Sequence, residues 1–263
     1  MSEAHRSDPP LLAIDGLKVA FPAEGGPFMA VDDVSFEIRQ TESLAIIGES
    51  GSGKSVTAGT VMGLVDSPPA RIEGDIRFRG ESLVTMPAKR RRMLYGTDIG
   101  MVFQDPLAHL NPVYPVGWQI AEVCRIHGMA RREAQERTAD LMHRVGIPDP
   151  RRRADAYPHE FSGGQRQRIM IAMAVALEPK LLIADEPTTA LDVTVQAQIL
   201  DLLRRLSDET GMALLMITHD LGVAADISER VLVMRRGEIV EQGDIRSVFS
   251  TPQHPYTRRL LAN

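Results

Sequence analysis

A chain of 263 residues can bury one substantial core, in one lobe or two, and its net charge of −5 argues against broad nucleic-acid binding. No apolar run approaches the roughly 18–20 residues of a membrane-spanning helix, Ile169 to Leu177 coming nearest, and the polar start Met1 to Pro10 lacks a secretory signal, so a soluble, cytoplasmic protein is expected. The single cysteine, Cys124, excludes an internal disulfide and a cysteine-built metal centre.

Residues 11–40 and 72–84 alternate apolar and polar side chains, as half-buried antiparallel strands do, and Phe21 closes the first of these strands. Leu44-Ala45-Ile46-Ile47 is a short apolar run, the mark of a buried parallel strand. It leads into Gly48-Glu49-Ser50-Gly51-Ser52-Gly53-Lys54-Ser55, which fits the phosphate-binding pattern G-x-x-x-x-G-K-[ST]. The three glycines let successive amides point inward at an anion, and a helix from Ser52 onward would bring its positive end to the same place. In that frame Lys54 reaches the β- and γ-phosphates and Ser55 offers its hydroxyl to Mg²⁺. Ser67-Pro68-Pro69 is expected to break this helix.

Gln104 follows the apolar run Ile99 to Phe103. Between it and Ser162 lies a largely helical insert, opened by Pro106, Pro112 and Pro115, with helical periodicity over Trp118 to Gly128 and Arg131 to Val145. Ser162-Gly163-Gly164-Gln165 precedes the helical stretch Arg166 to Leu177, and a hydroxyl with two glycines at a helix start makes a second anion-binding end. Leu181 to Ala184 reads as another buried strand, ending in Asp185 and Glu186. Asp185 is placed to hold a magnesium-bound water, and Glu186 to orient or deprotonate the water that attacks the γ-phosphorus, although acidic residues also follow strands as helix caps. A helix over Val193 to Thr210, a strand over 213–218 closed by His219, and a late hairpin of Val231–Met234 with Glu238–Glu241 complete the order. The arginine runs Arg90-Arg91-Arg92 and Arg151-Arg152-Arg153 read most simply as solvated faces, with contact to a partner or to lipid headgroups as the alternative.

The motifs, in this order, resemble the ATP-binding subunits of ABC transporters, and the run Asp185-Glu186-Pro187-Thr188-Thr189-Ala190-Leu191-Asp192 matches that family along its whole length. The resemblance implies an α/β fold: a P-loop NTPase core with a RecA-like parallel sheet, an antiparallel β subdomain and an inserted α-helical subdomain. As a single ATP-binding domain over 1–263, the core takes 11–104 and 177–245, the helical subdomain 105–176 and the tail 246–263. It implies that Gly48 to Ser55 and Val56 bind ATP, that Ser55, Gln104 and Asp185 hold Mg²⁺, and that Glu186, His219 and Gln104 are catalytic. Ser162 to Gln165 would act on the ATP of an opposing subunit, and Asp192 would line the dimer seam. Phe21 stands where the family stacks an aromatic on adenine, a role for which core packing is a real alternative.

Asp192-Val193-Thr194-Val195-Gln196-Ala197-Gln198-Ile199-Leu200 and the tail His254-Pro255-Tyr256-Thr257-Arg258-Arg259-Leu260-Leu261 resemble the peptide and nickel importer branch in particular. The implied partners are a second ATP-binding subunit, two transmembrane permease subunits and an extracytoplasmic solute-binding protein, with no nucleic acid. The implied location is the cytoplasmic face of the cell membrane. Peptide is the expected cargo; nickel, glutathione-like or antibiotic-peptide cargo and a non-transport ABC ATPase are the alternatives. Many members of this branch run on beyond such a tail, so a short member and half of a fused polypeptide both fit.

Overall fold

The computed structural model describes residues 9–262; most of the polar opening segment lies outside the described residues. Two compact units are formed, one from residues up to 91 together with 213 onward, the other from 92–212.

In the first unit, the strand Leu12–Phe21 pairs antiparallel with Phe28–Ile38 on one side and Arg71–Phe78 on the other, and a short strand, Glu81–Ser82, extends the order. Leu12, Leu17, Val19, Val31, Val34 and Ile38 are fully buried, the alternation expected of a sheet with one covered face. The ladder slips near Gly16, whose left-handed φ of 56° lets its carbonyl pass Gly74; a Cβ on Gly74 would lie 2.4 Å from the Gly16 oxygen.

The same unit holds the strand Ser43–Ile47, parallel to Ala213–Thr218 and to Arg230–Arg235, the latter pairing antiparallel with Glu238–Asp244. Leu44 to Ile47 are wholly buried, because a parallel strand here is covered on both faces. The helix after the phosphate loop spans Lys54–Val61, two residues later than the sequence suggests, because Gly53 takes a left-handed φ of 105°. It ends ahead of the prolines, its C-cap Met62 being followed by Gly63 at φ 65°. Two helices of the tail, Ile245–Ser250 and Pro255–Ala262, were not anticipated. Ile245, Val248 and Tyr256 from this tail join Ala45, Ile47, Val231 and Val233 in one apolar cluster.

In the second unit, the strands Ile99–Val102 and Leu181–Asp185 run parallel with Met101 opposite Ile183, and both are buried throughout. Helices Val116–Ile126, Arg131–Arg144, Gly163–Ala174 and Val193–Thr210 pack around a core that includes Ile120, Leu141, Met142, Ile169 and Leu203. Gly100 admits the end of one of them: a Cβ there would sit 2.4 Å from the Ala174 carbonyl. The arginine runs lie on short helices, Ala88–Leu94 and Pro150–Arg153. Arg153 stacks over Phe161 at 4.3 Å, while Arg151 and Arg152 are solvated.

Candidate functional site

The phosphate loop of the first unit is shaped by what lies behind it. Gly48 is buried, and a Cβ there would come within 2.3 Å of the Met234 carbonyl; on Gly53 it would meet the Ala30 carbonyl at 2.5 Å. Gly51 has φ 78° and nothing within 4 Å of where a Cβ would stand, so that glycine serves the backbone turn. The turn of the late hairpin braces the loop, with Gly237 N–H donating to the Ser52 carbonyl at 2.9 Å and Asp32 N–H donating to the Gly237 carbonyl at 2.9 Å.

Lys54 is 4% exposed, and its Nζ donates to the carbonyls of Gly48 (2.8 Å) and Glu49 (3.0 Å). The cation is thereby anchored at the mouth of the loop, with Ser55 exposed beside it and Val56 half-buried on the first turn of the helix. Glu49 and Ser50 are exposed. The Ser52 hydroxyl is buried and makes no hydrogen bond among the described residues, the condition of a donor whose acceptor is a ligand. Glu49 N–H donates to the hydroxyl of Tyr256 at 3.2 Å.

Phe21 is half-buried at the end of its strand, opposite Phe28, and lines a cavity of about 320 Å³ with Pro22, Pro27 and Met29. His219 is exposed, directly after the buried strand Ala213–Thr218; next to it Asp220 caps the helix Leu221–Ile227 by accepting from Val223 N–H at 3.0 Å.

The second unit carries the carboxylates. Asp185 ends its strand as a buried side chain, and Glu186 follows with φ 47°, a left-handed conformation unusual outside glycine. Such a residue costs on the order of 1–3 kcal/mol, and such strain clusters at functional sites. One oxygen of Glu186, Oε2, accepts from Gln104 Nε2 at 3.2 Å and from Thr189 Oγ1 at 2.9 Å. Gln104 and Glu186 are thus brought together, and Thr189 is a partner to which the sequence pattern assigns no chemistry.

Ser162 and Gln165 form a reciprocal capping box: Ser162 Oγ accepts from Gln165 N–H at 3.3 Å, and Gln165 Oε1 from Ser162 N–H at 3.2 Å. The two glycines differ. A Cβ on Gly163 would make ordinary contact with Leu191 at 3.8 Å, whereas one on Gly164 would strike Val195 at 2.5 Å. Gly164 therefore serves packing between two helices, and exposed Gly163 is not required to be glycine by any contact among the described residues. Asp192 caps the helix Val193–Thr210, its Oδ1 accepting from Val195 N–H at 3.0 Å.

The residues read as Mg²⁺ ligands, Ser55, Gln104 and Asp185, supply only oxygen, and oxygen suits a hard cation. Among the described residues no group of three or more His, Cys, Asp or Glu side chains forms a metal cage. Oxygen donors of this kind suit Mg²⁺, an ion that keeps several waters and leans on substrate phosphates.

A family model described as "ABC transporter" matches residues 31–189, from within the strand Phe28–Ile38 to Thr189 beside the catalytic glutamate candidate. The chain belongs to the ABC transporter family. It is 50% identical over 252 residues to the dipeptide transport ATP-binding protein DppD of Escherichia coli (strain K12), covering 95% of this chain and 76% of that protein. It is 52% identical over 255 residues to the peptidoglycan transport ATP-binding protein YejF of Agrobacterium fabrum, covering 96% of this chain and 47% of that one. Among solved structures it is similar to the ATP-binding cassette MJ0796, determined as a dimer in a post-hydrolysis state with ADP and phosphate. There the TM-score is 0.79 at 26% identity, over 89% of this chain and 99% of that one. The α/β fold is accordingly that of the P-loop ATPase cassettes of ABC transporters.

Proposed function

We propose that this chain is the ATP-hydrolysing subunit of a membrane importer whose cargo is a peptide. In this reading Gly48 to Val56 hold the triphosphate, with Phe21 against adenine and Lys54 as the phosphate cation. Glu186 holds the attacking water and takes its proton, Gln104 orients that carboxylate, and His219 meets the γ-phosphate. Ser55, Gln104 and Asp185 would hold Mg²⁺ together with the phosphates, an ion that neutralises charge on the transferred group. Ser162 to Gln165 act on the nucleotide of a second, facing subunit, along a seam that includes Asp192. Closure of the pair with ATP and opening after hydrolysis would drive two permease subunits, fed by an extracytoplasmic binding protein, from the cytoplasmic face of the membrane.

The observation that carries this reading is Glu186: left-handed, behind a buried aspartate, with one oxygen held by Gln104 and Thr189. Ordinary helix caps need no such hold. The peptide cargo is supported by the similarity to DppD, named for dipeptide transport. Similarity of the same order to YejF, named for peptidoglycan transport, favours a second reading in which the cargo is a peptidoglycan fragment. The test is uptake of labelled dipeptide, and separately of labelled muropeptide, into vesicles carrying the complex that co-purifies with this chain. ATP-dependent uptake of dipeptide that disappears with Lys54→Ala is expected; a complex with neither permease nor uptake overturns the reading.

A further inference from the structure

The tail helix Pro255–Ala262 has no part in the chemistry described above, yet it reaches the phosphate loop. Tyr256 is 3% exposed and packs in the cluster that contains Ile47, the residue immediately before Gly48. Its hydroxyl accepts the Glu49 N–H at 3.2 Å across 207 residues of sequence. The other side of that residue is engaged as well, since the Glu49 carbonyl accepts from Lys54 Nζ at 3.0 Å.

The ring is itself held in place. The Arg235 guanidinium lies 5.0 Å from its centroid, a cation–π distance, and the Tyr256 N–H donates to His254 Nδ1 at 3.2 Å. The turn that delivers it is clamped by Glu241, whose two carboxylate oxygens accept from Gln253 N–H (2.7 Å) and His254 N–H (3.0 Å). A phenol so fixed is a rigid acceptor, whereas the water that would otherwise meet an exposed loop amide is not.

We propose that Tyr256 is a positioning residue for the nucleotide, fixing the start of the phosphate loop at Glu49 and, through the Glu49 carbonyl, the resting place of the Lys54 ammonium. The inference rests on the reading of Gly48 to Ser55 as the ATP loop. Tyr256 touches no phosphate. Its effect is to hold the loop in the bound conformation before the ligand arrives, which lowers the ordering cost of binding.

The test uses the full chain, titrated with trinitrophenyl-ATP in the presence of Mg²⁺, and compares Tyr256→Phe, Tyr256→Leu and Lys54→Ala with the unaltered protein. Tyr256→Phe keeps the ring and its packing and removes only the acceptor. Its affinity is expected to fall about two- to tenfold, the range for one net hydrogen bond. In the assembled complex KM for ATP should rise by a similar factor with kcat changed by less than about twofold, the split that loss of uniform binding produces. Equal affinity for Tyr256→Phe and the unaltered chain overturns the proposal, including the case in which only Tyr256→Leu is weakened, because the tail then acts through packing alone. A lower melting temperature of nucleotide-free Tyr256→Phe with unmoved affinity overturns it too. Lys54→Ala separates the two levels. If its affinity is unchanged, the loop reading itself falls and this inference with it; if it is weakened while Tyr256→Phe is not, only the inference falls.

Discussion

Glu186 concentrates the chemistry of this chain in one side chain. A carboxylate oxygen shared between an amide donor and a hydroxyl has few orientations left, and its left-handed backbone narrows them further. Glu186→Gln preserves size and keeps an acceptor, so ATP binding at the loop of the other unit is expected to survive. Hydrolysis is expected to fall by about 10²–10⁴, the usual contribution of a positioned base. Single-turnover hydrolysis measured beside nucleotide affinity checks both halves, and near-normal turnover would remove Glu186 from its assigned role. Thr189 shows how a residue can stand in plain view within a recognised run and still carry no assignment. Its partner is three positions away, joined only by the turn that Glu186 itself bends.

At the scale of elements, short motifs were legible and long-range supports were not. The helix Val193–Thr210 stands where the residue pattern places it, because Asp192 caps its start and Gly211 ends it with a left-handed φ of 65°. The phosphate loop was legible for a similar reason, since Gly48, Gly51 and Gly53 all hold a positive φ, whatever lies behind them. The tail helices were missed: Asp244 caps the first of them, but both are short and their apolar residues are explained only by the sheet they cover. The clamp on this tail makes it pH-sensitive. Burial raises the Glu241 carboxyl, and hydrogen bonding from the Gln253 amide, the Thr257 side chain and the His254 amide together outweighs that, so its pKa lies below the ordinary 4.5. A carboxyl lowered on folding lends stability above its unfolded pKa and loses it as pH falls through the folded value. Tail docking should therefore hold at neutral pH and weaken below about pH 4.5. Glu241→Ala should lower the melting temperature at pH 7 by about 2–4 °C and flatten that acid limb. A melting profile across pH with the limb unchanged in the variant would assign it to other carboxyls.

For the whole molecule, the division of labour between two copies is the central expectation. Gly163 is exposed and a Cβ there meets nothing closer than Leu191 among the described residues, so Gly163→Asp should fold normally and bind ATP at its own Lys54 loop. A carboxylate placed at that helix start opposes a facing phosphate by charge and by bulk, so closure and hydrolysis should fail. Mixing Gly163→Asp chains with Lys54→Ala chains gathers both defects in one composite site and leaves the other intact. Recovery of ATPase activity above that of either variant alone is the expected result, measured at equal total protein. Loss of ATP binding by the Gly163→Asp monomer would overturn the assignment of these motifs to different nucleotides.

Sequence by itself determined the phosphate loop, the aspartate–glutamate pair after a buried strand, the helix that Ser162 caps and the family. Each of these is a demand on neighbouring residues: glycine where φ is positive, a lysine and a hydroxyl where a helix begins, a hydroxyl three residues before its cap partner. Tertiary structure alone decided what holds those motifs in place. Gln104 reaches Glu186 across 82 residues, Tyr256 reaches Glu49 across 207, and the Met234 carbonyl presses so closely on Gly48 that no side chain fits there. Nothing in local spacing encodes such meetings: Gln104 meets Glu186 because two parallel strands far apart in the chain lie side by side, Met234 meets Gly48 because its strand runs parallel to Ser43–Ile47, and Tyr256 meets Glu49 because the tail packs its apolar side chains against that sheet.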